Sequence, residues 1–138
     1  MYISYFILFN VYIVSHDLWY YFFHRLLHTR HMYFIHKKHH KKLYSQFTYL
    51  DAYVGEIIEF PLETMGVCIP LLIKQEQIKE NTYNIFFCAL LFIFIRNLMQ
   101  HDKKFIWLVG EHHLLHHKLP NYNYGECWID KICGTNYK

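Results

Sequence analysis

The sequence lacks a CxxC pair. Its four cysteines are divided between apolar segments (Cys68, Cys88) and the C-terminal stretch (Cys127, Cys133), which excludes zinc-ribbon and thioredoxin-like sites and leaves no disulfide framework. It also lacks a long run of one charge. Fourteen Lys and Arg against eleven Asp and Glu give a formal charge of +3, and the basic residues are mixed with aromatics and histidines, so no nucleic acid partner is expected and a membrane surface is. There is no internal repeat and no low-complexity linker beyond the basic stretch His36 to Lys42. Met1 leads into an apolar stretch without a basic segment or a small-residue cleavage site, so the first segment is expected to stay in the protein.

What the chain does have is apolar surface and histidine. Of its 138 residues 54% are hydrophobic and 20% aromatic, yet 12 are histidines, most of them in four places. The length fits a single domain over residues 1–138. Three apolar segments are expected to lie in a membrane. Tyr2 to Phe23 is long enough to cross a hydrocarbon core of about 30 Å. Ile57 to Ile73 is shorter and interrupted by Glu59, Pro61, Glu63 and Pro70, which predicts a kinked segment partly shielded from lipid. Tyr83 to Met99 contains the run IFFCALLFIFI and has no polar face, as a spanning helix should. The polar turn KQEQIKEN, Lys74 to Asn81, makes the second and third segments a hairpin. An out-and-back pair leaves regions 24–56 and 100–138 on one membrane side. Their excess of Lys and Arg predicts that this side is cytosolic.

All the histidine clusters fall in those two regions. HRLLH places His24 and His28 four residues apart, on one helix face. HKKHH places His36, His39 and His40 at i, i+3 and i+4, with Lys37 and Lys38 turned away. HLLHH repeats that spacing with His113, His116 and His117, preceded by His112, and His101 follows the third segment. Clustered imidazoles suit iron, zinc, copper or nickel rather than magnesium or calcium. A closed structural zinc takes four ligands. Nine or ten imidazoles exceed that and would furnish two metals with four or five nitrogens each. His16 and His31 fit no repeated spacing and are read as structural. Aromatics such as Trp19, Tyr20, Trp107 and Trp128 are read as anchors at the membrane interface.

With these motifs in view, the chain resembles the fatty acid hydroxylase and sterol desaturase superfamily of membrane di-iron enzymes. The resemblance starts at Asp17 in DLWYYFFHRLLH and runs through HKKHH, FPLETMG, QHDKK and HHLLHHKLPNYNYGECWIDKICGT. NYNYG and the His101–Asp102 pair resemble the C5 sterol desaturase branch. Where the superfamily has histidine ahead of the proline of its HPLE element, this chain has Phe60.

The resemblance implies an all-α fold: an integral membrane helical bundle with a cytosolic helical cap carrying a histidine-rich di-metal site. It implies two iron ions, with zinc as a possible replacement, and O2 as co-substrate. The expected reaction is hydroxylation or desaturation of a lipid or sterol in the endoplasmic reticulum membrane, with electrons from a reductase and cytochrome b5. The expected metal ligands are His24, His28, His36, His39, His40, His113, His116 and His117, joined by His101 and His112. Asp17, Glu63, Asp102 and Asp130 are the expected acceptors for the ligands' outer ring N–H groups, with Asp17 two turns from His24 on the same face. Asn121, Tyr124 and Gly125 are expected to shape the turn that returns the last cluster to the site. Two other readings remain open: a non-catalytic membrane protein retaining a structural histidine-bound metal pair, and a protein that handles metal or binds lipid headgroups.

Overall fold

The structure is a computed structural model that describes residues 2–41, 47–53, 55, 57–73 and 80–137. Among these residues it is all-helical, with no strand. The expected turn at Lys74 to Asn81 lies outside the described residues except for its last two positions, which open a helix.

Helix α1, Tyr2–Leu27, has 26 residues and is about 39 Å long at 1.5 Å per residue. It is long enough to span, but Asn10, Ser15, His16 and Asp17 dilute its apolar run. Among the described residues only Thr82–Gln100, within helix α5 (Glu80–Gln100), is both long and apolar enough to cross a membrane. Only 11% of that window is buried. A core helix of a soluble protein would be mostly buried, whereas this helix leaves most of its apolar surface uncovered.

The expected second segment is not one helix. It divides into α3 (Glu59–Thr64), a 3-10 turn (Met65–Cys68) and α4 (Ile69–Ile73). Pro61 sits in the first turn of α3, where no N–H is needed. Pro70 cannot donate to the carbonyl of Gly66, so the α-helical ladder breaks there and the Ile69 N–H bonds Gly66 O instead.

This broken segment runs antiparallel to α1. Trp19 Nε1 donates to Leu62 O at 2.7 Å. Further along, Val67 joins Tyr12, Ala89 and Ile93 in the core, with Leu8, Leu71 and Ile85 packed around them. Gly66 permits the approach, since a Cβ there would lie 2.3 Å from Trp19 Cβ and 2.9 Å from Ser15 O. The chain therefore leaves the end of α1, runs back along it through α3 and α4, and returns in α5. The C-terminal ends of α1 and α5 thus lie together, and short helices assemble over them: α2 (Tyr33–His36), α6 (Ile106–Val109), α7 (His112–Lys118) and α8 (Cys127–Cys133). Trp107 and Trp128 are exposed on this cap. Trp19 and Tyr20 instead face inward, Trp19 on Leu62 and Tyr20 against His24 and His113.

Candidate metal centre

Nine histidines converge in two adjoining groups. His24, His28, His36, His40 and His116 form one, and His39, His101, His113 and His117 the other; within each group the ligating atoms lie within 4.8 Å of one another. HKKHH is not a continuous helix. It ends α2 at His36, turns at Lys37 and Lys38, and resumes as a 3-10 turn at His39–Lys41. His36 and His40 join the first group and His39 the second. HLLHH, on α7, is divided in the opposite sense: His113 and His117 join the second group and His116 the first. Each motif thus grips one group through its i, i+4 pair and the other through its i+3 residue.

Hydrogen bonds behind the rings fix which nitrogen faces inward. His24 Nδ1 donates to Tyr124 O at 2.6 Å, His116 Nδ1 to Tyr122 O at 2.7 Å and His101 Nδ1 to Asn97 O at 2.8 Å. A carbonyl only accepts, so each of these rings carries its proton on Nδ1 and turns the bare Nε2 lone pair inward. His36 Nδ1 is paired with the Glu59 carboxylate in the same way.

The inward nitrogens lie close together. Nε2 of His36 is 2.9 Å from Nε2 of both His24 and His40, and His116 Nε2 is 3.0 Å from His28 Nε2. His101 Nε2 lies 3.0 Å from His113 Nε2 and 3.1 Å from His39 Nε2, and His113 and His117 are 3.2 Å apart. Between His24 and His36 both Nδ1 protons are already committed, so two lone pairs face each other and repel unless a cation lies between them. Two nitrogens each about 2.05 Å from one ion, at right angles, would be about 2.9 Å apart. The donor set and its spacing fit a pair of transition-metal ions.

Electrostatics favour the ligating state. Burial, reinforced by neighbouring imidazoles, holds His24, His36, His40, His113 and His117 well below the ordinary histidine value. Burial lowers His28 to about 4; it also lowers His101 to about 4 against its bond to Asn97, and His116 to about 3. The folded protein keeps these rings neutral, and a metal binds the neutral ring.

The other expected site residues lie elsewhere. His112 turns away from both groups, with Nε2 3.0 Å from Asp130 Oδ2, because as the first residue of α7 it faces α8. Asp17 does not reach His24. It pairs with Arg96 of α5, which also lies 3.4 Å from Glu126, and a fixed cation is the stronger partner for a buried carboxylate. Asp102 caps the 3-10 turn Lys103–Phe105 by accepting from Lys104 N. Glu63 is buried near Glu59 and His36, and its Oε1 has no hydrogen-bond partner among the described residues. Asp130 accepts from the amides of Tyr124 and Gly125. His16 is buried beside Tyr20 and His31 is exposed, outside both groups.

Sequence reasoning missed Glu59 as an acceptor, although an acidic residue in an apolar segment one helical turn before Glu63 was the available signal. It also missed Asn123, which is buried at a positive φ of 57°. Phe60 packs edge-on against Tyr53 and lines, with His39, Glu59 and Glu63, a cavity of about 20 Å³. That is room for about one water molecule.

No curated protein and no solved structure matches the chain. The family model described as fatty acid hydroxylase matches residues 9–135, an interval holding all nine converging histidines. The family is one of oxidoreductases acting on lipids at membranes, in keeping with the span in α5 and the histidine clusters. On that match the chain belongs to the fatty acid hydroxylase family.

Proposed function

We propose that the protein is a membrane di-iron oxygenase that hydroxylates or desaturates a lipid or sterol. The observation that carries this reading is the pair of adjoining histidine groups, five and four strong, with bare Nε2 atoms at spacings suited to metal. His24, His28, His36, His40 and His116 would hold one iron, and His39, His101, His113 and His117 the other. When bound, the metal pair supplies the oxidation by O2 of an unactivated carbon–hydrogen bond, chemistry that no side chain provides. The protein's part is geometry. Tyr124 O, Tyr122 O, Asn97 O and Glu59 orient the rings, and Phe47, whose ring lies tilted with its centroid 4.2 Å from that of His117, shields the second group from water.

The three segments 2–23, 57–73 and 83–99 would lie in the membrane, with the cap on the cytosolic face of the endoplasmic reticulum, where a reductase and cytochrome b5 supply electrons. The C5 sterol desaturase branch is the favoured subtype on NYNYG. Metal analysis of detergent-purified protein is expected to find two irons per chain. Oxygen consumption with reductase, cytochrome b5 and a panel of sterols, acyl chains and alkylglycerols is expected to yield a hydroxylated or desaturated product. Absence of product across the panel would refute the enzymatic reading. Two tightly held metals without turnover would instead favour a structural pair, the reading that Phe60 supports.

A further inference from the structure

The C-terminal stretch folds back on itself around two buried side chains. The carboxylate of Asp130, fully buried, accepts from Tyr124 N and Thr135 Oγ1 on Oδ1, at 2.9 and 2.6 Å, and from Gly125 N and His112 Nε2 on Oδ2, at 2.9 and 3.0 Å. These bonds outweigh the effect of its burial and hold its pKa below the usual carboxylate value. Asn123, in the left-handed region, accepts from Tyr137 N at 2.8 Å and donates to His112 O at 3.1 Å, while its own N–H bonds Thr135 O. Gly125 lets this loop lie on α1, since a Cβ there would be 3.0 Å from Tyr21 Cβ.

The loop so clasped, residues 122–125, supplies the two carbonyls that fix His24 and His116. Both histidines belong to the five-membered group, and they come from different helices. The four-membered group is supported differently. His101, the residue after α5, is fixed by Asn97 O of that helix, and His117 Nδ1 is buried without a partner among the described residues.

We infer that the clasp centred on Asp130 and Asn123 positions only one of the two metals. By holding the Tyr122 and Tyr124 carbonyls against His24 and His116 it sets the tautomer and aim of two ligands in the five-histidine site. The four-histidine site draws its visible ring support from Asn97 O instead, and the clasp reaches it only through His112, which joins neither group. Asp130 and Asn123 are positioning residues, acting through the backbone of a loop that touches no metal. The inference rests on the two-metal reading above. It predicts that loosening the clasp converts a two-metal protein into a one-metal protein.

The test is metal stoichiometry of the full chain in detergent. Wild type is expected to hold two metals and Asp130→Asn one, because the substitution loosens the loop whose carbonyls back His24 and His116, and loss of such backing weakens metal binding about 10- to 100-fold. The retained metal is then assigned: adding His101→Ala to Asp130→Asn should remove it, whereas adding His28→Ala should not. Asp130→Asn retaining two metals, or losing both while keeping wild-type helicity, overturns the inference. If Asp130→Asn does not fold, Asn123→Gly tests the same point, since it allows the positive φ and loses both side-chain bonds. Wild type holding fewer than two metals would overturn the two-metal reading itself, an outcome distinct from a two-metal protein indifferent to the clasp.

Discussion

Acidification should unfold the metal-free protein, and the structure sets the scale. Folding lowers the pKa of His28 and His101 to about 4 and of His116 to about 3, against about 6.5 in an unfolded chain. The unfolded state therefore binds more protons than the folded state between these values, and stability falls as pH falls. The contribution is fully present above about pH 6.5 and is lost as pH drops toward 4 and then 3. At about pH 5 each of the three costs about 2 kcal/mol relative to neutral pH, or about 6 kcal/mol together. That equals the lower part of the whole stability of a typical domain. Thermal melting of chelator-treated protein in detergent, from about pH 7.5 to about pH 5, should show a fall on the order of 20 °C. Iron-loaded protein should resist to lower pH, because metal and proton compete for the same nitrogens. A melting temperature of the metal-free protein that moves by only a few degrees over this range would refute the account.

Three substitutions test the rest of the arrangement. Gly66→Val should cost about 1–3 kcal/mol or more through overpacking against Trp19, read as a lower melting temperature in detergent. Asp17→Asn should destabilise by about 3–5 kcal/mol by leaving Arg96 short of a buried counter-charge, with the metal count unchanged in the fraction that remains folded. His112→Ala should keep two metals, because the carboxylate it touches still holds the Tyr124 and Gly125 amides, whereas His113→Ala should lose one; elemental analysis separates the two outcomes.

Length and apolarity made α1 and α5 legible, because long apolar runs have few alternatives to helix. Parity of the hairpin placed the histidine regions together, and in the fold the ends of α1 and α5 do meet. The subdivision of 57–73 was signalled only by Pro61 and Pro70. Spacing showed which histidines share a face, but not which metal group each would join, since that depends on how α2 and α7 sit relative to one another. His112 illustrates the limit: it is adjacent to His113 of the second group in sequence, yet it lies on another side of α7 and meets Asp130. Asp17 illustrates another. Its helical spacing to His24 was correct, but Arg96 arrives from a helix 79 residues away, and a contact of that range leaves no local trace. The support from Tyr122 and Tyr124 was equally hidden, because backbone carbonyls have no sequence signature.

The division of the HxxHH motifs gives that spacing a mechanical meaning. If i, i+3 and i+4 all served one ion, two such motifs would make two independent sites free to drift apart. Here His36 and His40 serve the first group while His39 serves the second, and His113 and His117 serve the second while His116 serves the first. Each motif therefore contributes to both groups and ties them together. Both groups are bridged by these two motifs, with His24 and His28 at the end of α1 joining only the first and His101, just past α5, only the second. A binuclear centre that must hold two ions at a fixed separation is served by this interleaving. It also accounts for the recurrence of one spacing in two places far apart in the chain: the second motif repeats the first with the groups exchanged.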